Sequence, residues 1–227
     1  MKILLTNDDG VEADGIRALR TALMEDFDVV VLAPDQQRSE CSHSVTGKEP
    51  LKLQQLANDL YSLSGTPVDC VRLGLAELVP TADLVVAGIN HGANLGGDIW
   101  VSGTVAAARE ARLRGKPAIA ISQYRRPEIH CNWATASQFA VEIIDSLIPK
   151  LESRTTAWNV NLPATEGQVM PELSVCDIDP NPLPVKYTLS DEGYQLTGCY
   201  HDRPRERGTD VDLCFGGQIT ASEIRVC

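Results

Sequence analysis

The fold is decided by the stretch KILLTNDDG at residues 2–10, in which a short, mainly apolar run leads directly into two acids and a glycine. A continuous apolar run of this length is typical of a strand that is buried on both faces of a parallel sheet. In open parallel sheets, ligands bind just beyond the carboxyl ends of the strands, where the chain turns into loops. Asp8 and Asp9 therefore occupy the position at which such a sheet carries its chemistry.

Similar apolar runs follow along the chain, and they are predicted as strands at residues 28–33, 83–88, 117–122 and 157–162. Between them lie amphipathic stretches of helical length, which are predicted as helices at residues 15–25, 67–78, 104–114 and 134–151. This alternation predicts an α/β fold in which a doubly wound, mostly parallel sheet has helices on both faces.

The pattern changes after residue 163, where proline becomes frequent and helical periodicity is lost. Short strands are predicted at residues 185–188, 194–197, 210–215 and 218–220, joined by turns that contain glycine and aspartate. We therefore predict an α/β core over residues 1–163 and a β-rich extension over residues 164–227. An antiparallel arm of this kind is expected to take part in oligomer assembly.

Composition narrows the class of protein without naming an activity. No apolar run approaches the 18 or more residues of a membrane span, and the first ten residues lack the apolar core of a secretory signal, so we expect a cytoplasmic protein without a membrane partner. Seven cysteines without a Cys-x-x-Cys pair fit a reducing compartment. The net charge of −11 disfavours nucleic acid as the main partner, whereas a small anionic substrate would need a local cation.

Three predicted loops bring oxygen donors to one edge of the sheet. Asp8 and Asp9 follow the first strand, Ser39 lies in the loop after the second, and Asn90 follows the strand at 83–88. Two carboxylates that are held close together repel each other unless a cation lies between them. Hard oxygen donors of this kind suit Mg²⁺, Mn²⁺ or Ca²⁺ rather than zinc. The alternative is that the Asp-Asp-Gly sequence is merely a solvated turn and helix cap.

A glycine-rich loop, with Gly88, Gly92, Gly96 and Gly97, leads into the predicted helix at 104–114. Glycine lets the backbone approach a ligand closely, although the dinucleotide fingerprint is absent. Ser102 or Thr104 could cap the helix, and its free amides, together with the helix dipole, would then hold a phosphate; plain capping is the alternative. Two histidines, His43 and His91, lie in these loops and are candidates for contact with substrate or for proton transfer.

Taken together, the loops resemble the SurE family of survival proteins. The matching blocks occur in order over nearly the whole chain: residues 7–10, 39–46, 65–71, 88–96, 102–108, 114–120, 159–163 and 208–211. One block alone would be weak evidence, but eight blocks in the same order are highly specific.

The resemblance implies a 5′- and 3′-nucleotidase with a divalent metal cofactor, a Rossmann-like core, and a C-terminal arm that is used in dimers or tetramers. It implies metal ligands at Asp8, Asp9, Ser39 and Asn90, which is the set that the loop argument suggests. Asn94 and the segment Ser102, Gly103 and Thr104 match the positions that the family places around the phosphate. Nucleoside monophosphates and further copies of the chain are the implied partners.

Two departures from the family pattern stand out. The family usually has glycine after the ligand serine, where this chain has Glu40. Near its end the family reads Ser/Thr-x-Thr-Pro-Leu, whereas this chain has Ile219-Thr220-Ala221-Ser222. The first departure affects the loop that carries Ser39, and the second affects the arm and hence the oligomer.

The expected chemistry is metal-assisted hydrolysis of a phosphate monoester by direct attack of water, with Asp8, Asp9 and Asn94 as the catalytic residues. Asn94, the helix N-terminus and its hydroxyls would stabilise the phosphoryl oxygens. The sequence leaves the identity of the general base open. The candidates are a hydroxide bound to the metal, Asp9, and either of the two loop histidines. The alternatives are a haloacid-dehalogenase-like phosphatase, which needs an aspartate nucleophile, and a nucleotide-binding sensor without turnover.

Overall fold

The computed structural model describes residues 1–151, 155–197 and 200–226. Its strands are β1 (Lys2–Thr6), β2 (Asp28–Pro34), β3 (Leu53–Ala57), β4 (Leu60–Leu63), β5 (Leu84–Asn90), β6 (Ala118–Gln123), β7 (Thr156–Leu162), β8 (Leu173–Val175), β9 (Tyr187–Ser190), β10 (Gly193–Leu196) and β11 (Ile219–Arg225). Its α-helices are α1 (Asp14–Leu23), α2 (Pro67–Leu73), α3 (Gly103–Leu113), α4 (Trp133–Leu147) and α5 (Asp210–Phe215).

Nine strands form one sheet in the order β3-β4-β2-β1-β5-β6-β7-β11-β8. The five central strands, β2, β1, β5, β6 and β7, are parallel, as their continuous apolar runs predict. Helices α1 and α4 pack on one face of the sheet and α2 and α3 on the other, each pair over its own apolar core. The predicted doubly wound, Rossmann-like α/β fold is therefore confirmed.

The predicted strand at 210–215 is wrong, because this segment forms helix α5. Its buried residues are Asp210, Val211 and Cys214, and a spacing of three between the two apolar ones is helical rather than the alternation of a strand. The predicted strand at 218–220 is the start of β11, which continues to Arg225.

The tail contributes strands to the main sheet as well as a separate hairpin. Strand β11 pairs antiparallel with β7, and β8 pairs with β11 at the edge of the sheet. Strands β9 and β10 pair only with each other, as a two-stranded sheet. Strands β3 and β4, which extend the other edge, have no counterpart among the predicted strands. In the described ranges, no helix combines the length and the apolar character needed to cross a membrane.

Candidate active site

The loops after β1, β2 and β5 meet at the carboxyl edge of the sheet. The backbone amide of Arg38 donates to the carbonyl oxygen of Asp8 over 2.7 Å, so the loop after β2 lies against the loop after β1. The backbone amide of His91 donates to Asp9 Oδ2 over 2.8 Å, which brings in the loop after β5. Asn90 is the last residue of β5 and immediately precedes this contact. The structure therefore brings the loops that carry the four predicted ligands together at one edge.

Asp8 is buried, with 5% of its surface exposed, and Thr104 Oγ1 donates to its Oδ1 over 2.5 Å. The pKa of Asp8 is raised to about 6, mainly by burial and also by the negative charge of Asp9, although the bond from Thr104 opposes both effects. The reading of this motif as a solvated turn is therefore wrong for Asp8. The motif does not cap a helix either, because the cap of α1 is Ala13.

A tight turn explains why Asp8 points inward. The side chain of Asn7 donates to the carbonyl oxygen of Gly10 over 2.8 Å and accepts from its amide over 3.2 Å. Gly10 has φ +100°, a conformation that favours glycine, and a β-carbon there would lie 3.2 Å from the backbone of Gln36. The turn thus fits closely beneath the loop after β2.

The N-terminus of α3 lies directly against Asp8. A β-carbon on Gly103 would lie 3.0 Å from Asp8 Oδ2 and 2.9 Å from Cys41 Sγ, so glycine permits this close approach. Ser102 Oγ accepts from the amide of Val105 over 3.1 Å and caps the helix. Capping is thus the observed role of the Ser102 hydroxyl, whereas the Thr104 hydroxyl is bonded to Asp8. The segment predicted to hold phosphate adjoins the predicted metal ligands.

Ser39 lies on the surface, where Gln37 Nε2 donates to its hydroxyl oxygen over 2.8 Å. The next residue, Glu40, has φ +57°, and Ser42 has φ +50°. This left-handed conformation costs a non-glycine residue about 1–2 kcal/mol, which explains why a glycine suits the position after Ser39. Glu40 is exposed, so the departure from the family pattern affects the backbone of this loop as much as its charge.

The two loop histidines differ in their surroundings. The ring of His91 stacks on Trp133 with ring centroids 4.4 Å apart, and its Nε2 is buried without a hydrogen-bond partner among the described residues. His43 Nε2 lies 2.9 Å from Glu110 Oε2, and its Nδ1 lies 3.3 Å from Arg109 Nη2. His43 is therefore held against the second turn of α3, beyond the residues that contact Asp8.

Asn94 is buried at the centre of a polar network at the ends of β6 and β7. Its backbone amide donates to Asn161 Oδ1 over 2.8 Å, and its carbonyl oxygen accepts from Asn159 Nδ2 and Asn161 Nδ2. Its own Nδ2 donates to Ser122 Oγ over 2.7 Å. These contacts fix the glycine-rich loop on the sheet. Two asparagines on the same face of a predicted buried strand were the sequence signal for this network.

Residues of the tail hold the other end of the glycine-rich loop, which sequence reasoning missed. Asp210 Oδ2 accepts from the amide of Gly96 over 2.9 Å, and its Oδ1 accepts from that of Asp179 over 2.8 Å. Arg203, which is buried, pairs with Asp98 Oδ2 over 2.5 Å. Burial raises the pKa of Asp210, although three backbone amides stabilise its charged form. The block at 208–211 therefore supports the rim of the site.

The donor set fits a hard, oxygen-preferring cation better than zinc. In the described part of the chain, no three or more His, Cys, Asp or Glu side chains group together as metal ligands. A cation at this edge would depend on two carboxylates, a hydroxyl and an amide oxygen, which are donors that Mg²⁺ and Mn²⁺ accept. The raised pKa of Asp8 beside Asp9 marks a pair of carboxylates that a cation would stabilise in their charged forms.

The fold and the site define a doubly wound α/β protein with an acidic site at the carboxyl edge of its sheet, beside a helix N-terminus that favours anions. The sequence model of the family described as Survival protein SurE matches residues 3–182, and the chain belongs to that family. The resemblance found in the sequence blocks is thereby confirmed.

Individual relatives agree with this assignment. The chain is 42% identical, over the full length of both proteins, to a candidate 5′-nucleotidase of Synechocystis sp.. It is 36% identical to the 5′-nucleotidase SurE of Clostridium botulinum, over 99% of this chain and 92% of that protein. The crystal structure of SurE from Aquifex aeolicus superposes with a TM-score of 0.89 at 34% identity, covering 100% of this chain and 94% of that one.

Replacing Asp8 by Asn should stabilise the metal-free protein at pH 8 by up to about 3 kcal/mol. The folded-state pKa of Asp8 is raised from 3.8 to about 6, so its stabilising contribution is complete below 3.8 and lost as the pH rises through 6. Asparagine carries no charge, and its Oδ1 can still accept from Thr104. Urea unfolding in the presence of a chelator, at several pH values between 4 and 8, measures the difference in the free energy of unfolding between Asp8→Asn and the wild type.

The exposed Asp26 provides the control, since Asp26→Asn removes a carboxylate that remains in water. The gain from Asp8→Asn should shrink as the pH falls from 6 towards 4. An equal gain in stability from Asp8→Asn at pH 4 and at pH 8 would contradict the burial of an ionised carboxylate.

Proposed function

We propose that this protein is a metal-dependent 5′-nucleotidase that hydrolyses nucleoside 5′- and 3′-monophosphates by direct attack of water. The observation that carries the proposal is the buried Asp8, bonded to Thr104 at the N-terminus of α3 and adjoining Asp9. This arrangement places carboxylates that can hold a cation beside a helix N-terminus that can hold an anion. Metal-assisted hydrolysis of a phosphate monoester requires both. The names of the relatives supply the nucleotide as substrate.

Asp8, Asp9, Ser39 and Asn90 would hold the cation, Mg²⁺ or Mn²⁺. When bound, it would polarise the phosphoryl group and orient the attacking water. Thr104 fixes the orientation of the Asp8 carboxylate, and the amide of His91 fixes that of Asp9. Asn90 Nδ2 donates to the carbonyl oxygen of Gly92 over 2.6 Å, which orients its side-chain amide within the loop.

The substrate phosphate would lie against the start of α3, at Ser102, Gly103 and Thr104, where the helix dipole favours negative charge. Asn94 would act on the substrate mainly by holding the glycine-rich loop in place, because its side chain is bonded to Ser122. Asp9 is our candidate for the proton acceptor. Both ring nitrogens of His43 are engaged by Glu110 and Arg109.

The geometry disfavours an aspartate nucleophile. Asp8 Oδ1 accepts the hydroxyl of Thr104, and Oδ2 lies close to Gly103. Asp9 Oδ2 accepts the amide of His91. One oxygen of each carboxylate is thus already engaged as an acceptor, which supports hydrolysis by water over the haloacid-dehalogenase-like alternative.

Activity should depend on a divalent cation and should proceed without a phosphorylated enzyme. Phosphate release from a panel of 5′- and 3′-monophosphates should stop on exhaustive chelation and return with Mg²⁺ or Mn²⁺. Asp9→Asn should reduce kcat by at least about 100-fold, because it removes a ligand and the candidate proton acceptor. Rapid quench followed by mass spectrometry should find no phospho-aspartate.

Full turnover after chelation would overturn the metal dependence. A trapped phospho-aspartate would establish the alternative phosphatase chemistry. Binding of monophosphates without phosphate release, in the presence of either metal, would support the sensor instead.

We also propose that the β9–β10 hairpin mediates self-association into dimers or tetramers. Four apolar side chains are exposed by 59–75% and lie on one face of the hairpin, as its register requires: Tyr187, Leu189, Tyr194 and Leu196. A two-stranded sheet on its own is marginally stable in water. A second copy of the chain that covered this face would remove its apolar surface from water.

Charges on the apolar face should therefore reduce the mass of the assembly. Leu189 and Tyr194 are directly paired, so we expect Leu189→Asp with Tyr194→Asp to shift the mass, measured by light scattering, towards the monomer. The matched control is Thr188→Asp with Gln195→Asp, a directly paired couple on the opposite face. It introduces the same repulsion between strands and should leave the mass unchanged. An equal shift in both variants would contradict a face-specific contact.

A further inference from the structure

Glu110 is a buried carboxylate in α3 that collects side chains from separate parts of the chain. Arg72 Nε and Arg114 Nε each donate to its Oε1 over 2.7 Å, and His43 Nε2 lies 2.9 Å from its Oε2. Only 1% of Glu110 is exposed. Burial opposes its ionisation, but the hydrogen bonds from these partners outweigh burial and lower its pKa. Glu110 is therefore a charged acceptor at a fixed place on α3.

The contact with Arg109 defines how His43 binds Glu110. An arginine guanidinium has only donors, so the contact between Arg109 Nη2 and His43 Nδ1 requires that Nδ1 accepts. Nε2 then carries the proton and donates it to Glu110. Arg109 also lies over the ring of Trp100, 5.6 Å from its centroid. The imidazole is thus held on both sides by residues of α3.

The segment between Ser39 and His43 needs such support, because Glu40 and Ser42 both adopt left-handed conformations. Strained backbone of this kind persists only where its surroundings hold it. Ser42 contributes one anchor, through bonds of its amide and hydroxyl to the carbonyl oxygens of Val101 and Trp100, whose side chains are largely exposed. His43 contributes the other anchor, and its acceptor is buried.

We infer that His43 is a positioning residue of the metal site, which holds the loop of Ser39 on α3 through Glu110. The same helix orients Asp8 through Thr104, so α3 serves as a common reference for ligands from two different loops. His43 touches neither the substrate nor the metal in this account. The inference rests on the proposed metal dependence and extends it to a residue outside the ligand set.

Direct titration with Mn²⁺ by calorimetry tests this, because it reports metal affinity without activity. His43→Leu should weaken Mn²⁺ binding about tenfold, the low end of what outer-shell partners contribute. Arg114→Leu is the matched control: it also removes one bond to Glu110, but Arg114 belongs to the end of α3 and not to the loop. It should lower the thermal unfolding midpoint and leave Mn²⁺ affinity unchanged.

Two further variants distinguish a positioning role of His43 from a general loss of structure. His43→Gln has an amide that can still donate to Glu110, and it should retain most of the Mn²⁺ affinity. Glu40→Gly removes backbone strain from the loop, so the loss caused by His43→Leu should be smaller in the Glu40→Gly background. Where His43→Leu fails to fold, His43→Asn replaces it, since its shorter side chain keeps polarity but does not reach Glu110.

The outcomes distinguish this inference from the proposed function. If the wild-type protein binds no Mn²⁺, or if Asp8→Asn binds Mn²⁺ with the same affinity as the wild type, both the proposed metal dependence and the role of His43 are overturned. Wild-type binding that requires Asp8 but is unchanged in His43→Leu would overturn only the role of His43. Equal losses in His43→Leu and Arg114→Leu would do the same, because they would reflect the Glu110 cluster as a whole. We expect His43→Leu to weaken Mn²⁺ binding while Arg114→Leu does not. We also expect this loss to be smaller in the Glu40→Gly background.

Discussion

Thr104 Oγ1 donates to Asp8 Oδ1 over 2.5 Å at the buried carboxyl end of β1. The contact requires that α3 begins beside the loop after β1, and this is possible because residue 103 is a glycine with no β-carbon to strike Asp8. Burial at this place, together with the charge of Asp9, raises the pKa of Asp8 despite the bond from Thr104, so the ionised pair of Asp8 and Asp9 is unfavourable without a compensating positive charge. The cation that we propose would supply that charge.

The central fold and the convergence of the ligand loops follow from local pattern. Continuous apolar runs predicted the parallel strands, and β1 is the apolar run that precedes Asn7, Asp8 and Asp9. Because parallel strands share one carboxyl edge, the loops after β1, β2 and β5 had to meet there. The contact between Asp8 and Thr104 was beyond prediction by pattern, because the two residues are 96 positions apart. Nothing in the local sequence reports such a pairing.

The tail shows where pattern reasoning fails. A short apolar segment at 210–215 does not distinguish strand from helix, and the deciding interactions are those of Asp210 with the amides of Gly96 and Asp179. Strand β3 was missed for another reason: its sequence Leu-Gln-Gln-Leu-Ala has neither a continuous apolar run nor a regular alternation, and all five residues are exposed. Strand β3 pairs with the adjacent strand β4, whereas the tail is held by the long-range hydrogen bonds of Asp210. The same bonds connect the tail to the rim of the site, so tail and chemistry are not independent.

Anomalous X-ray diffraction from a crystal soaked in Mn²⁺ tests the central claim most directly, because it locates the metal without reference to activity. The account predicts one strong peak at the carboxyl edge of β1 and β5, about 2.2 Å from oxygens of Asp8 and Asp9, with Ser39 or Asn90 completing the protein ligands. The peak should be absent from a crystal of Asp8→Asn treated in the same way. A wild-type crystal without a peak at this edge, or with its only peak elsewhere, would contradict the account.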